Sequence, residues 1–409
     1  MLNLVWTFFF LSAFGIALCK LLFLGDAQVF ADIMTAMFEL AKTAFEISLG
    51  LSGVLALWLG IMKIGEHSGF TGLLTQALNP LFNRLMPEIP QNHPALGAMT
   101  MNMAANMLGL DNAATPMGIK AMQAMQTLNP HPEQASDAQI LFLVLNTSSV
   151  TLFPVTIFAY RAQLGAVNPT DVFIPILIAT YVSTLTGLLA VAAVQRINLL
   201  DKVVLAYLGG ISAIVIGILA YFAGLERAAM LKQSAQVSHI VLFGLVIAFI
   251  AAAVYKRLNA YELFIEGAKE GFQTAITIIP YLVAMLVAFG VFRASGGLLL
   301  LTDAMRVAVG ALGIDNRFID GLPTALMKPF SGSGARAMMI DTLKTHGADS
   351  FAGRLVSVIQ GSTETTFYVL AVYFGAVNIK HIRHAAACGL IADFGGITAA
   401  ILLTYWFFG

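Results

Sequence analysis

Charge is scarce in this chain: Asp, Glu, Lys and Arg together make 11% of 409 residues, about half the share of an ordinary soluble protein. So little charge excludes a free-standing soluble globule. With a mean hydropathy of +0.83, it points to a bilayer. Cysteine is nearly missing too. Cys19 and Cys388 lie in or beside apolar runs, so they imply neither a disulfide framework nor a metal site. The 22 basic residues balance the 22 acidic ones, and no basic stripe carries interleaved aromatics, so nothing supports a nucleic-acid partner. The first apolar run lacks a basic n-region and a small-residue cleavage site, and is expected to stay as a helix. There is no His-Glu-x-x-His motif and no phosphate loop ending in Gly-Lys-Ser/Thr.

Long apolar text is what the chain has instead. Runs near 3–24, 44–64, 139–160, 172–195, 203–223, 238–255, 275–292, 354–375 and 385–408 each approach the roughly 20 residues of a spanning helix. They are too long and too uniformly apolar for barrel strands. The expected fold is an all-α polytopic membrane protein with about nine spanning helices.

The chain also repeats itself. Glu39-Leu40-Ala41-Lys42 answers to Glu266-Gly267-Ala268-Lys269, NAATPMGIKAM (112–122) to SGARAMMIDTL (333–343), and NTSSVTLFPV (146–155) to QGSTETTFYV (360–369). Gly165-Ala166-Val167-Asn168 recurs letter for letter at 375–378. The spacing between partners shrinks steadily from 227 to 210 residues, as small loop deletions would make it. Four regions follow: an N-terminal helix in 1–35, a first repeat in 36–195, connecting helices in 196–262 and a second repeat in 263–409. An odd number of crossings between equivalent points predicts inverted repeats with broken or re-entrant helices, the common plan of secondary transporters. Arg196, Lys202, Lys256, Arg257, Lys269, Lys380 and Arg383 fall on one side in this count, which predicts that side, and the N-terminus, to be cytoplasmic. Arg161, Arg227 and Lys232 on the other side weaken the bias.

Four stretches carry chemistry. In NMAANMLGLDNAATPMGIKAM (102–122), Gly109-Leu110-Asp111-Asn112 signals a turn and Pro116 removes a backbone donor, so two short helices are expected to meet at a break. Asn102, Asn106, Asn112 and Thr115 would cradle a solute there, or serve as caps and interhelical glue. The partner stretch, Lys328-Pro329-Phe330-Ser331-Gly332-Ser333-Gly334-Ala335-Arg336, alternates Ser and Gly so that several amides can face one point. Ser331, Ser333 and Arg336 are binding candidates, unless Arg336 pairs with Asp341 or Asp320. Polar runs at 146–151 and 360–365 cover every face of a helix and predict local unwinding, with Gln360 and Thr363 as further solute ligands. Glu364 is an ionisable group at depth whose repeat mate is Val150. It is expected to be protonated, ion-bound or paired with Arg336, and to couple an ion. Asp393, matched by Ser183, is a second coupling candidate or a plain interhelical hydrogen-bond partner.

These motifs carry a resemblance. NMAANMLGLDNAATPMGIKAM and LNTSSVTLFP resemble the spore maturation protein A family. KPFSGSGARAMMIDTLKTHG and VIQGSTETTFYVLAVYFGAV resemble the spore maturation protein B family, as if the two were fused. Both resemble the wider Gate, or nucleoside-recognition, group, which includes concentrative nucleoside transporters and the membrane part of ferrous iron transporter B. The resemblance implies a multi-pass protein of the bacterial cytoplasmic membrane. By position, Asn112, Thr115, Ser331 and Ser333 match hairpin tips, and Gln360, Thr363 and Glu364 match an unwound polar run.

The expected function is secondary transport of a small polar organic solute, coupled to H⁺ or Na⁺. A nucleoside is the resemblance's suggestion; an amino acid or small peptide would suit Arg336 and Glu364. The alternatives are a non-transport scaffold or regulator of envelope maturation, and a hydrolase using Ser333 with a histidine such as His384. No catalytic residue, metal site or cofactor is expected beyond a bound H⁺ or Na⁺. The expected partners are lipid, a small solute and further copies of the chain.

Overall fold

A computed structural model describes residues 2–90, 93–109, 111–148, 151–311, 313 and 315–409. The chain is helical: α1 Leu2–Leu24, α2 Val29–His67, α3 Phe70–Leu85, α4 Pro94–Met107, α5 Asp111–Gln126, α6 Asp137–Ser148, α7 Val155–Gln163, α8 Phe173–Gln195, α9 Lys202–Ala223, α10 Arg227–Tyr255, α11 Ala260–Ala294 and α12 Gly297–Gly310. A 3₁₀ turn at Arg317–Gly321 follows, then α13 Leu322–Met327, α14 Gly332–His346, α15 Phe351–Ser362, α16 Thr366–Gly375 and α17 Ala385–Phe408. Among the described residues, sheet is limited to an isolated bridge between Gln134 and His381.

Among the described residues, seven helices are long and apolar enough to cross a membrane: α1, α2, α8, α9, α10, α11 and α17. Seven of the nine apolar runs are thus continuous spans. The other two are broken, 139–160 into α6 and α7 and 354–375 into α15 and α16. Pro154 caps α7 and supplies no backbone N–H. In the second break Thr363 and Thr365 adopt extended backbone with no proline present.

Two helix pairs frame the molecule. Helices α2 and α11 pack along much of their length, and the contact is close because it runs over glycine. A Cβ on Gly267 would fall 2.3 Å from the Leu59 carbonyl oxygen, and one on Gly271 2.6 Å from that of Leu55. Helices α8 and α17 form the second pair, where Gly396 lies against Ser183. Ser183 Oγ donates to the Ala392 carbonyl at 2.9 Å.

Between these pairs the broken helices run antiparallel, α7 against α15 and α6 against α16. The loop after each therefore meets the loop before the other. At one end Arg161, fully buried, donates to Asp171 (2.8 Å), Asp349 (3.2 Å) and the Ala348 carbonyl (2.8 Å). Arg354 donates to the second oxygen of Asp171 at 2.8 Å. At the other end the amides of Lys380 and His381 both donate to the Glu133 carbonyl. Exposed pairs Lys380–Glu133 and Arg383–Asp137 reinforce that tie.

Candidate functional site

The first polar stretch folds as a helical hairpin. Helix α4 stops at Leu108, and Gly109 turns the chain with φ +70°. A side chain there would also approach the Phe153 carbonyl at 2.9 Å, so glycine is required on two counts. Helix α5 begins at Asp111 and continues through Pro116, so the turn precedes the proline. The second hairpin is α13 and α14. Ser331 caps α14 by accepting from the Gly334 amide at 3.0 Å.

Each hairpin tip is tied to the break in its own half. The Leu152 amide donates to the Met107 carbonyl at 2.9 Å, and the Phe367 amide to the Pro329 carbonyl at 3.0 Å. The halves are tied to each other where the Glu364 amide donates to the Thr147 carbonyl at 2.7 Å.

A cavity of about 740 Å³ lies between hairpins and breaks. Asn106, Thr115, Ser331, Ser333, Arg336, Gln360 and Glu364 line it, together with Lys328, Asn146, Thr365, Tyr281, Tyr368 and Tyr373. The side chain of Asn112 lies outside the described residues, as does Val150. Asn102 and Thr363 stand behind the wall. Asn102 is fully buried, and its Nδ2 donates to the Ala114 carbonyl (2.8 Å) and to Tyr373 Oη (3.1 Å).

Asp393 is also behind the wall, 1% exposed, with its oxygens 2.5 Å from Thr363 Oγ1 and 2.6 Å from Thr366 Oγ1. Those hydroxyls flank the break, so Asp393 pins the unwound backbone from behind and does not reach the cavity. Lys328, 2% exposed, lies within electrostatic range of it.

The Glu364 side chain is exposed and faces the cavity, because the extended backbone on either side turns it away from Asp393. Arg336 stacks over the Tyr160 ring at 5.8 Å. Of its proposed acidic partners, Asp341 pairs with Arg293 at 3.2 Å and Asp320 with Arg306 at 2.6 Å. His384 lies against Gln195 and not against Ser333.

Tyr373 was not anticipated from sequence. It sits in an apolar helix, yet its hydroxyl donates to Asn146 Oδ1 at 3.2 Å, the oxygen that also accepts from Asn106 at 2.8 Å. Gly118 makes room for it, since a Cβ there would fall 2.2 Å from the tyrosine oxygen. A glycine in the middle of α5 was the available signal. Among the described residues, two buried side-chain atoms in the cavity wall have no hydrogen-bond partner, Gln360 Oε1 and Thr365 Oγ1, on residues 9% and 2% exposed.

The Gate family, described as nucleoside recognition, matches residues 48–164 and 275–380, more than half the chain. The chain is similar to spore maturation protein A of Bacillus subtilis (strain 168), 42% identical over 183 residues, which is 45% of this chain and 90% of that protein. A different half is similar to spore maturation protein B of the same organism, 49% identical over 154 residues, 38% of this chain and 85% of that protein. The two similarities are consistent with a fusion. No solved structure matches the chain.

Proposed function

We propose that this chain, which belongs to the Gate, nucleoside-recognition, family, is a secondary transporter of a small polar organic solute coupled to H⁺ or Na⁺. One observation carries the reading: a cavity of about 740 Å³ is walled by both hairpins and both breaks, and holds acidic, basic, amide and hydroxyl groups together. That volume suits a single small ligand. Non-helical backbone at membrane depth is tolerated where it lines such a space.

The transporter plan is inverted repeats, and local geometry supports it. Five crossings, α2, α6–α7, α8, α9 and α10, separate the start of α2 from that of α11. Gly69 opens α3 with φ +90°, and Gly296, its repeat mate, opens α12 with φ +89°. A side chain on either would meet a lysine Nζ, Lys256 at 2.3 Å and Lys20 at 2.5 Å.

The halves differ in one respect that bears on access. Helix α2 packs on α7, so closely that a Cβ on Gly50 would overlap Gln163. In the other half Tyr281 of α11 and Tyr368 of α16 both line the cavity. This asymmetry supports a state closed at α2–α7 and open at α11–α16. Helix α9, which buries only Val204 and Phe222, supports lipid contact in a bacterial cytoplasmic membrane. Further copies of the chain are its other expected partners.

Uptake into proteoliposomes tests the reading, with nucleosides, amino acids and dipeptides offered under imposed H⁺ or Na⁺ gradients. Concentrative uptake of any of them over empty vesicles is the expected result. Uptake of none under either gradient would return the chain to a scaffold role in the envelope.

A further inference from the structure

We infer that the cavity is built for a zwitterion, a free amino acid or short peptide whose carboxylate sits at the N-terminus of α14 and whose ammonium faces Gln360 and Glu364. The inference rests on the transporter reading only for the direction of use; the binding site stands on its own geometry.

The anion pole begins with α14. It has 15 residues, and its first amides have no acceptor within the helix. Gly332 and Ser333, the first two, line the cavity, so their N–H groups and the positive end of the helix dipole lie at its wall. Ser331 takes up the Gly334 amide through Oγ and the Ala335 amide through its carbonyl, further along the helix. A second and independent observation comes from Thr365, 2% exposed, with its hydroxyl unpartnered and in the cavity wall. A Cβ on Gly332 would lie 2.9 Å from that hydroxyl oxygen, so the glycine keeps the hydroxyl beside the helix end. An unpaired buried hydroxyl costs free energy that a bound oxygen would recover. Arg336, one turn along α14, adds a guanidinium to the same wall.

A simple anion does not fit the remainder. Glu364 adjoins Thr365 and exposes an acidic side chain to the same space. Gln360 brings a buried carbonyl oxygen that lacks a donor. Gln360 calls for an N–H donor, and Glu364 for one that carries positive charge. The amides of Asn106 and Asn146 are occupied with each other and with Tyr373, which leaves Gln360 Oε1 and Glu364 as the cation pole. A neutral ligand would offer Glu364 no opposite charge.

The test uses the full chain in detergent and reads thermal stability with four probes at up to about 10 mM: L-alanyl-L-alanine, N-acetyl-L-alanine, L-alaninamide and uridine, bearing both charges, the negative one, the positive one and neither. A ligand of the native state raises the unfolding temperature by mass action. The dipeptide alone is expected to do so. Thr365→Val should weaken it by at least about tenfold, with the ligand-free unfolding temperature unchanged, since that hydroxyl has no protein partner. Glu364→Gln should narrow the preference for the dipeptide over N-acetyl-L-alanine. No stabilisation by the dipeptide, or equal stabilisation by N-acetyl-L-alanine, would overturn the inference. Uptake of uridine would overturn it while sparing the transporter reading, and dipeptide binding without uptake would do the reverse.

Discussion

The backbone amide of Glu364 donates to the carbonyl of Thr147 at 2.7 Å, and joins the break of one half to the helix end of the other. The bond uses only main chain, so the Glu364 side chain is free of structural duty in this contact. Glu364→Gln should therefore leave stability within about 0.5 kcal/mol, as for other exposed replacements. Concentrative, ion-driven uptake should be lost while downhill exchange persists. Accumulation in proteoliposomes at several pH values, with and without Na⁺, checks this. Unchanged accumulation in the Gln variant would remove Glu364 from coupling.

Asp393 should behave in the opposite way. Its oxygens accept from Thr363 and Thr366 on either side of the break. Asp393→Ala leaves two buried hydroxyls to find other acceptors and should cost about 1–3 kcal/mol. Thr363 Oγ1 can turn to the Thr147 carbonyl, 3.0 Å away; among the described residues Thr366 Oγ1 donates to Asp393 alone. Thermal unfolding should thus separate the two, with Thr366→Val milder than Asp393→Ala and not additive with it.

Much of this architecture was legible in the text because membranes restrict the menu. Apolar length marked the seven continuous spans, and the polar runs at 146–151 and 360–365 marked where two further spans break. Repeat pairing anticipated that Asn106 and Ser333, far apart in sequence, would border one space. Sequence could not say which face of the broken segment looks inward. Extended backbone at Thr363 and Thr365 sends Glu364 to the cavity and Thr363 to Asp393, a choice of dihedral angles and not of composition. Tyr373 escaped notice because one hydroxyl in an apolar helix carries no pattern. Pro116 misled in a smaller way, since α5 absorbs it close to its own start.

Arg161 should be the most sensitive position outside the cavity. It is fully buried, with Asp171 at 2.8 Å and Asp349 at 3.2 Å, and reaches the Ala348 carbonyl in the other half. Arg161→Leu leaves Asp171 and Asp349 to Arg354 alone and strips the Ala348 carbonyl of its donor, and should destabilise by about 3 kcal/mol, the lower end for a broken buried pair. Asp349→Asn, on a residue whose side chain is 30% exposed, should cost less. Denaturation in detergent, read by tryptophan fluorescence, would rank them; an equal effect of both would show that the cluster acts as a surface pair.

The clasp at the opposite end gives the pH test, because it lies outside the spanning helices. Lys380 donates to Glu133 at 2.5 Å, and that hydrogen bond, with the lysine charge, lowers the Glu133 pKa below the ordinary carboxylate value. A depressed folded-state pKa contributes stability that is present above the unfolded value and is lost as pH falls through the folded one. Acidification below the usual glutamate range should therefore loosen the tie between the 129–137 and 376–384 loops. Both side chains are mostly exposed, so the effect should be small and should fade in high salt. Hydrogen exchange at the Lys380 and His381 amides, which both bond the Glu133 carbonyl, is the direct readout. Their protection, corrected for intrinsic rates, should drop on acidification in the native chain and stay level in Glu133→Gln. Equal losses in both would assign the clasp to backbone pairing alone.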